Sequence, residues 1–315
     1  MAAQPLIIYV PGLMPKPEPG AHRRELLRCL AAGVERVDRV AAQQLRDHAQ
    51  LFDLVGWTYD FYSQHLDITN DLAAIDALID RPEAGEQERS EAGSLKRRLL
   101  RSIYRAMDRL PFLIPHFADD NLEIHLRDLR RYVRNEYDIA DFVRRLLKKP
   151  LRAAAESGRP IMLLAHSMGS VIAYDSLWQL SRRTVENVSI DLFITMGSPL
   201  GQRYIQSRLL GFKASGELRF PANIRRWVNI AATGELTAID MHLANDFAEM
   251  IEFGLLESIE DYEVYNPFRL HGELNVHAEY GYLINEVTAK VVTEWLRRAQ
   301  VGLDDDVDTP IPGAT

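Results

Sequence analysis

The sequence contains a single cysteine, Cys29, among its 315 residues. No internal disulfide can form, and a reducing compartment is the simplest interpretation. Positive charge is also in short supply: 37 Lys and Arg residues stand against 45 Asp and Glu residues, for a formal net charge of −8. An acidic chain gives no reason to expect nucleic acid as a partner.

Membrane, targeting and cofactor signals are missing as well. No window approaches the roughly 20 apolar residues that a membrane-spanning helix needs. The opening MAAQPLIIYVPGLMPKP has no basic region and only a short apolar run, so it is not a signal peptide. We therefore expect a cytoplasmic protein. There is no G-x-G-x-x-G or Walker sequence, and the histidines lack ligand spacing, so we predict no cofactor and no metal.

Short apolar stretches alternate with helical patterns along most of the chain. Each stretch is rich in β-branched or aromatic residues, and most end at Gly, Pro or Asn, as buried strands do. This alternation predicts an α/β fold with a mainly parallel sheet of about six strands flanked by helices. The predicted strands are Leu6–Val10, Leu51–Trp57, Ile161–Ala165, Ile190–Met196, Ile224–Ile230 and Asp261–Tyr265. Predicted helices include Ala21–Leu45, Asp138–Lys149, Met168–Leu180 and Glu279–Arg298.

We expect a single domain over residues 1–300, with one helical insertion over about 81–137 that is a candidate lid. Within the insertion, residues 94–110 (SLKRRLLRSIYRAMDRL) form a basic amphipathic helix. It is either a contact for an anionic membrane or acyl substrate, or a packed helix with a solvated basic face. The apolar PFLIPHF that follows lines an acyl pocket or belongs to the core. The acidic tail, residues 301–315, is predicted to be disordered.

The stretch IMLLAHSMGSVIAYDSL places Ser167 between a buried strand and a helix. Small residues, Ala165 and Gly169, stand two positions before and after it. A strand, a small-x-Ser-x-Gly turn and a helix are typical of a nucleophile elbow, where the hydroxyl is raised above the sheet edge. The backbone N–H of Met168 then points to the same space. The alternative is that Ser167 is an ordinary helix N-cap.

With this motif, the chain resembles the α/β-hydrolase superfamily, in particular its serine esterases and lipases. The resemblance covers about Pro5 to Arg298, apart from the insertion. Two positions depart from the usual pattern: Ala165 replaces the first glycine of the motif, and Pro11-Gly12 stands where many relatives have His-Gly. The resemblance implies an α/β-hydrolase fold and a catalytic triad in the chain order serine, acid, histidine.

The resemblance also indicates where the triad partners belong. The histidine is expected after the last strand, where the chain offers His277 and, as an alternative, His271. The acid is expected after the strand IRRWVNI, where Glu235 is preferred and Asp240 remains an alternative. Either carboxylate could accept the imidazole N–H and stabilise the imidazolium.

An oxyanion hole needs two backbone donors. The resemblance assigns them to Met168 and, in the loop after the first strand, to Leu13, with Met14 as the neighbouring alternative. Gly12 would let that loop turn toward the serine. His166 is expected to point away from the site.

These residues predict a cofactor-independent serine hydrolase that cleaves carboxylic esters, including lipid or acyl esters, through an acyl-enzyme. The expected partner is a small ester or acyl substrate. Two alternatives stay open: an acyltransferase with the same triad, and a non-catalytic binding protein with a hydrolase-like fold.

Overall fold

The computed structural model describes residues 3–109 and 120–305. Its main sheet has six strands, all parallel, in the spatial order β2-β1-β3-β4-β5-β6. The predicted α/β architecture is confirmed. The strands are β1 (Leu6–Val10), β2 (Phe52–Leu54), β3 (Ile161–His166), β4 (Ile190–Met196), β5 (Ile224–Ala232) and β6 (Ser258–Val264). A small antiparallel pair, β7 (Arg269–Leu270) and β8 (Glu273–Leu274), was not predicted.

The described α-helices lie between these strands in sequence, except for the last two, which follow β8. They are α1 (Pro19–Glu35), α2 (Arg39–Asp47), α3 (Thr58–Tyr62), α4 (Thr69–Asp80), α5 (Glu86–Ala92), α6 (Leu95–Arg109), α7 (Asp120–Val133), α8 (Ile139–Glu156), α9 (Met168–Trp178), α10 (Arg203–Gln206), α11 (Leu243–Asp246), α12 (Ala248–Glu252), α13 (Glu279–Ile284) and α14 (Glu286–Asp305). PFLIPHF and residues 306–315 lie outside the described residues. No described helix is long and apolar enough to span a membrane.

Two predicted helices are each divided in the structure. The stretch from 279 to 298 is interrupted at Asn285, between α13 and α14. The stretch from 21 to 45 was expected to be continuous, but α1 ends at Glu35 and α2 starts at Arg39. The Asp38 side chain accepts hydrogen bonds from the N–H groups of Val40 and Ala41. An aspartate in this position caps a new helix start, which outweighed the continuous helical pattern.

The sheet divides the core into two layers. Alternate residues of β1 enter opposite layers: Ile8 and Val10 on one face, Ile7 and Tyr9 on the other. Helices cover both faces, so β1 is apolar along its whole length and β3 is apolar up to its last residue, His166. The carboxyl ends of parallel strands lie along one edge of the sheet, where the loops that carry the predicted site residues converge.

Candidate active site

Ser167 forms the sharp joint between β3 and α9. Its backbone has φ 52° and ψ −126°, a strained region for a residue with a side chain. Its N–H donates to the carbonyl of Met196 at 2.8 Å, which ties the joint to the end of β4. The Ser167 side chain makes no capping hydrogen bond to α9. This geometry supports the interpretation of a nucleophile elbow over that of an ordinary N-cap.

The elbow requires the small residues that flank it. A Cβ added to Gly169 would lie 2.3 Å from the carbonyl oxygen of Val10 and 2.7 Å from that of Pro11. Any side chain there would drive α9 away from β1. Ala165 is fully buried at the end of β3, paired with Val10 on one side and Thr195 on the other.

Three predicted residues meet at the elbow in one line of hydrogen bonds. His277 Nε2 lies 3.0 Å from Ser167 Oγ, and His277 Nδ1 lies 2.8 Å from Glu235 Oε2. Ser167 and Glu235 are buried, whereas the His277 side chain is 28% exposed. An imidazole between a hydroxyl and a carboxylate can take the hydroxyl proton and be stabilised once charged.

Several donors hold Glu235 as a carboxylate. Its Oε1 accepts from the N–H groups of Leu236 and Thr237, both at 3.0 Å, and its Oε2 also accepts from the Tyr282 hydroxyl at 3.1 Å. Burial alone would raise the pKa of this carboxyl, but the nearby His277 charge and these hydrogen bonds lower it to about 2. Glu235 is therefore ionised near neutral pH. The sequence analysis did not assign Tyr282 to the site. The one signal for it was its position five residues after His277.

The two alternative residues lie elsewhere. Asp240 Oδ1 accepts from the N–H of His242 at 3.0 Å, and its Cβ faces Gly201. His271 is exposed in the turn between β7 and β8, where its φ is 51°. The structure brings neither of them to Ser167.

The loop after β1 packs directly on the serine. A Cβ added to Gly12 would lie 2.7 Å from Ser167 Cβ, so glycine is required for this approach. The N–H of Met14 donates to the Tyr62 hydroxyl at 3.0 Å and is thus already engaged. Among residues 3–109 and 120–305, no group accepts a hydrogen bond from the Leu13 N–H. Of the two candidate donors in this loop, Leu13 is the one left for an oxyanion.

Met168 is the first residue of α9, so its N–H has no acceptor within the helix. The N-terminal end of a helix also carries partial positive charge. Both features suit an amide that would face a developing oxyanion.

The prediction that the His166 side chain points away from the site is wrong. Its Nε2 donates to the backbone carbonyl of His277 at 2.8 Å, and the two rings lie 4.6 Å apart. Burial and the nearby His277 charge lower the pKa of His166 to about 3, so the ring is neutral. His166 therefore holds the loop of His277 in place through this hydrogen bond.

Ser198 has a structural position beside the elbow. Its Oγ lies 2.7 Å from Ser170 Oγ and accepts from the N–H of Leu200, which caps the turn after β4. The neighbouring Gly197 has φ 55°, and a Cβ there would lie 3.1 Å from His277 Nδ1. Glycine therefore leaves room for the imidazole.

Helix α6 lies over the loops of Glu235 and His277. Arg97 donates to the carbonyls of Gly234 at 3.2 Å and Leu274 at 3.0 Å, and Arg101 donates to that of Ile239 at 3.2 Å. Two leucines of the predicted apolar stripe face solvent instead: Leu95 is 80% exposed and Leu99 64%. The helix is packed on the domain, but it packs through Arg97 and Arg101 of the basic face that the packed-helix interpretation expected to be solvated, and the part of the apolar stripe at Leu95 and Leu99 is uncovered. The stripe also includes Met107, whose side chain is not among those that the structure describes.

The parallel six-stranded sheet, covered by helices on both faces and carrying Ser167 at a strand–helix joint, fits the α/β-hydrolase fold. A family model, lecithin:cholesterol acyltransferase, matches residues 131–211. The match includes the elbow but neither Glu235 nor His277. No curated protein and no solved structure matches the chain. The family match supports acyltransferase or esterase-type activity in general.

Proposed function

We propose that this protein is a serine hydrolase that cleaves carboxylic esters through an acyl-enzyme. The observation that supports this most strongly is the hydrogen-bonded line from Ser167 through His277 to Glu235. A serine hydroxyl is a weak nucleophile on its own. An adjacent base activates it by taking its proton, and a carboxylate orients that base.

In the proposed reaction, Ser167 Oγ attacks the ester carbonyl carbon while His277 Nε2 takes the hydroxyl proton. The carbonyl oxygen becomes an oxyanion, which the N–H groups of Met168 and Leu13 stabilise. The C–O bond to the leaving alcohol then breaks, and His277 returns the proton to that alcohol. Water repeats the sequence on the acyl-Ser167 ester and releases the acid. Glu235 keeps the imidazole oriented and balances its charge throughout.

Labelling with a fluorophosphonate tests this proposal, because the probe phosphonylates only an activated serine. The wild type should be labelled, Ser167→Ala should not, and His277→Ala should be labelled at least about a thousandfold more slowly. Mass spectrometry of the labelled peptide should place the adduct on Ser167. A folded wild type that neither takes the label nor cleaves esters of any chain length would favour the non-catalytic binding protein.

An acyltransferase is the second candidate, and the family match is the observation that favours it. The acyl-enzyme would form in the same way, but an alcohol would replace water as the acceptor. Product analysis with a p-nitrophenyl ester and increasing concentrations of an added alcohol separates the two reactions. A new ester formed at millimolar alcohol supports transfer, whereas free acid alone supports hydrolysis.

We also propose that α6 contacts an anionic lipid surface through its outer side. The exposed Leu95 and Leu99 lie beside the exposed basic residues Lys96 and Arg98, on a chain that is acidic overall. Exposed leucines next to basic side chains suit the boundary between lipid tails and anionic headgroups. The bound substrate would then enter from the lipid, which fits an acyl ester.

Vesicle sedimentation tests the lipid contact. The wild type should bind phosphatidylglycerol vesicles more than phosphatidylcholine vesicles, and the double variant Leu95→Ser/Leu99→Ser should lose this binding. The matched control, Val40→Ser/Val185→Ser, removes two equally exposed apolar side chains elsewhere. Equal binding by both double variants would refute the assignment to α6.

A cytoplasmic location remains part of the proposal. It is supported by the lone cysteine, Cys29, which is buried in α1 and makes no disulfide. Cell fractionation of the tagged full-length chain would check it. Recovery in an exported or extracellular fraction would contradict it.

A further inference from the structure

A second buried carboxylate, Glu279, lies beside the site and has no place in the mechanism above. Its Oε1 accepts from Lys16 Nζ and from His22 Nε2, both at 2.9 Å. Its Oε2 accepts from the Tyr9 hydroxyl, also at 2.9 Å. The Glu279 side chain is 6% exposed and that of Lys16 is 16% exposed. Burial alone would raise the pKa of this carboxyl, but the charges of Lys16 and His22 lower it well below its usual range.

Glu279 and Lys16 come from the two loops that carry His277 and Leu13. Glu279 is the first residue of α13 and follows His277 by two positions. Lys16 follows Leu13 by three positions, in the loop that packs on Ser167. The Lys16–Glu279 pair therefore joins the loop of the base to the loop of the proposed oxyanion donor.

Other contacts hold the oxyanion loop to the segment after β2. Trp57 Nε1 donates to the carbonyl of Pro11 at 2.9 Å, and Tyr62 accepts from the N–H of Met14. The Lys16 carbonyl accepts from the N–H of Leu66 at 3.0 Å, and Pro17 forms a β-bridge with Leu66. The ion pair thus adds the link between this loop and the histidine loop.

Glu279 does not replace Glu235. Glu235 takes the imidazole N–H, whereas Glu279 accepts from Tyr9 of β1 and His22 of α1. Because its hydrogen bonds go to Lys16, His22 and Tyr9, we expect Glu279 to influence the reaction mainly through the positions of the two loops. A displacement of about 1 Å at an aligned site can reduce the rate about a hundredfold.

We propose that Glu279 and Lys16 are positioning residues that hold the Leu13 amide and the His277 imidazole in register on either side of Ser167. This inference rests on the proposed function. Their effect falls on the transition state, because only there does the carbonyl oxygen carry the charge that Leu13 would stabilise. Binding of the uncharged ester should depend on them little.

The test uses steady-state kinetics on p-nitrophenyl butyrate together with inhibition by a trifluoromethyl ketone. The ketone adds to the serine and leaves an oxyanion in the same place as the reaction does. For Lys16→Met and Glu279→Gln, kcat should fall about tenfold to a hundredfold while KM changes less than about twofold. The inhibition constant of the ketone should rise by the same factor as kcat falls. Lys16→Arg, which keeps the charge, should retain most of the activity.

The control is Arg144→Met, which breaks an equally buried ion pair, with Asp175, between α8 and α9. It should lower the melting temperature without changing the ratio of ketone affinity to KM. If Lys16→Met behaves like Arg144→Met, the pair only stabilises the fold and the inference is wrong. If Lys16→Met is fully active, the inference is also wrong, while labelling of Ser167 would still support the proposed function. If Glu279→Gln does not fold, Lys16→Met decides alone, since Glu279 keeps two of its donors.

Discussion

His166 and His277 form a tilted ring pair in which His166 also holds the backbone of His277. The Nε2 of His166 donates to the backbone carbonyl of His277, and the ring centroids are 4.6 Å apart. The donated proton fixes the His166 tautomer, with Nδ1 left as an unprotonated nitrogen. His166 must stay neutral for the reaction, since a positive charge on its ring would oppose the protonation of the neighbouring His277.

This pair predicts a specific pH dependence of stability. Burial lowers the pKa of His166 to about 3, whereas a histidine in the unfolded chain has a pKa of about 6.5. Between these values the unfolded chain binds a proton that the folded chain does not. The free energy of unfolding therefore falls on acidification, by up to about 1.4 kcal/mol per pH unit from this residue alone.

Urea unfolding of His166→Gln against the wild type measures this contribution. Glutamine keeps a donor for the His277 carbonyl but does not titrate. The stability advantage of the wild type should shrink by about 2 kcal/mol between about pH 7 and about pH 5. Glu235, Glu279 and Lys16 are present in both proteins, so their titration largely cancels. A difference that stays constant over this range would show that His166 titrates alike in the folded and the unfolded chain, and would contradict the prediction.

A comparison of Glu235→Gln with Asp240→Asn distinguishes the two candidate acids. Glutamine is nearly isosteric but cannot balance an imidazolium, so kcat should fall about 10³-fold to 10⁴-fold. Asp240→Asn should change kcat less than about threefold, because Asp240 bonds the N–H of His242 and not His277. Ester hydrolysis near neutral pH provides the measurement. The reverse order of effects would assign the acid to Asp240.

Replacing Gly12 with alanine should damage the reaction more than the fold. The added Cβ would lie 2.7 Å from Ser167 Cβ, which must push the Leu13 loop away from the serine. We expect fluorophosphonate labelling to slow about a hundredfold, as for the loss of an oxyanion donor. Gly20→Ala is the control, since its Cβ would meet only the flexible Glu18 side chain. Equal labelling of both variants would mean that the loop does not take part in the reaction.

Helix α6 offers a prediction about the triad loops. Arg97→Ala removes the bonds to the carbonyls of Gly234, which precedes Glu235, and of Leu274. The labelling rate should fall about threefold to tenfold, with faster amide hydrogen exchange in α6 and in the loop of Glu235. Arg98→Ala, one position along the same helix, removes an exposed side chain and should match the wild type. Unchanged exchange in Arg97→Ala would show that other contacts hold the helix.

Much of the fold follows from short-range patterns. Apolar β-branched runs alternating with helical periods predicted all six parallel strands, although β2 is shorter than expected and β6 starts earlier. The position of Ser167 was also predictable, because strand, small residue, serine, glycine and helix are adjacent in the chain. Steric limits at such a turn act between neighbours, so the sequence alone expresses them.

Relations between distant segments depended on the tertiary structure. Glu235 and Asp240 are five positions apart in one loop, and only the path of that loop decides which carboxylate faces His277. The amphipathic period of α6 predicted a helix but not its orientation, since arginines that bond backbone carbonyls can turn inward while leucines face out. Glu279 and Lys16 are 263 positions apart, and no local pattern relates them. The sequence by itself determined which segments become strands and helices and which serine stands at the elbow, because those outcomes depend on neighbouring residues. Packing of the sheet decided which charged groups meet at its carboxyl edge, because burial and hydrogen bonding depend on contacts across the fold.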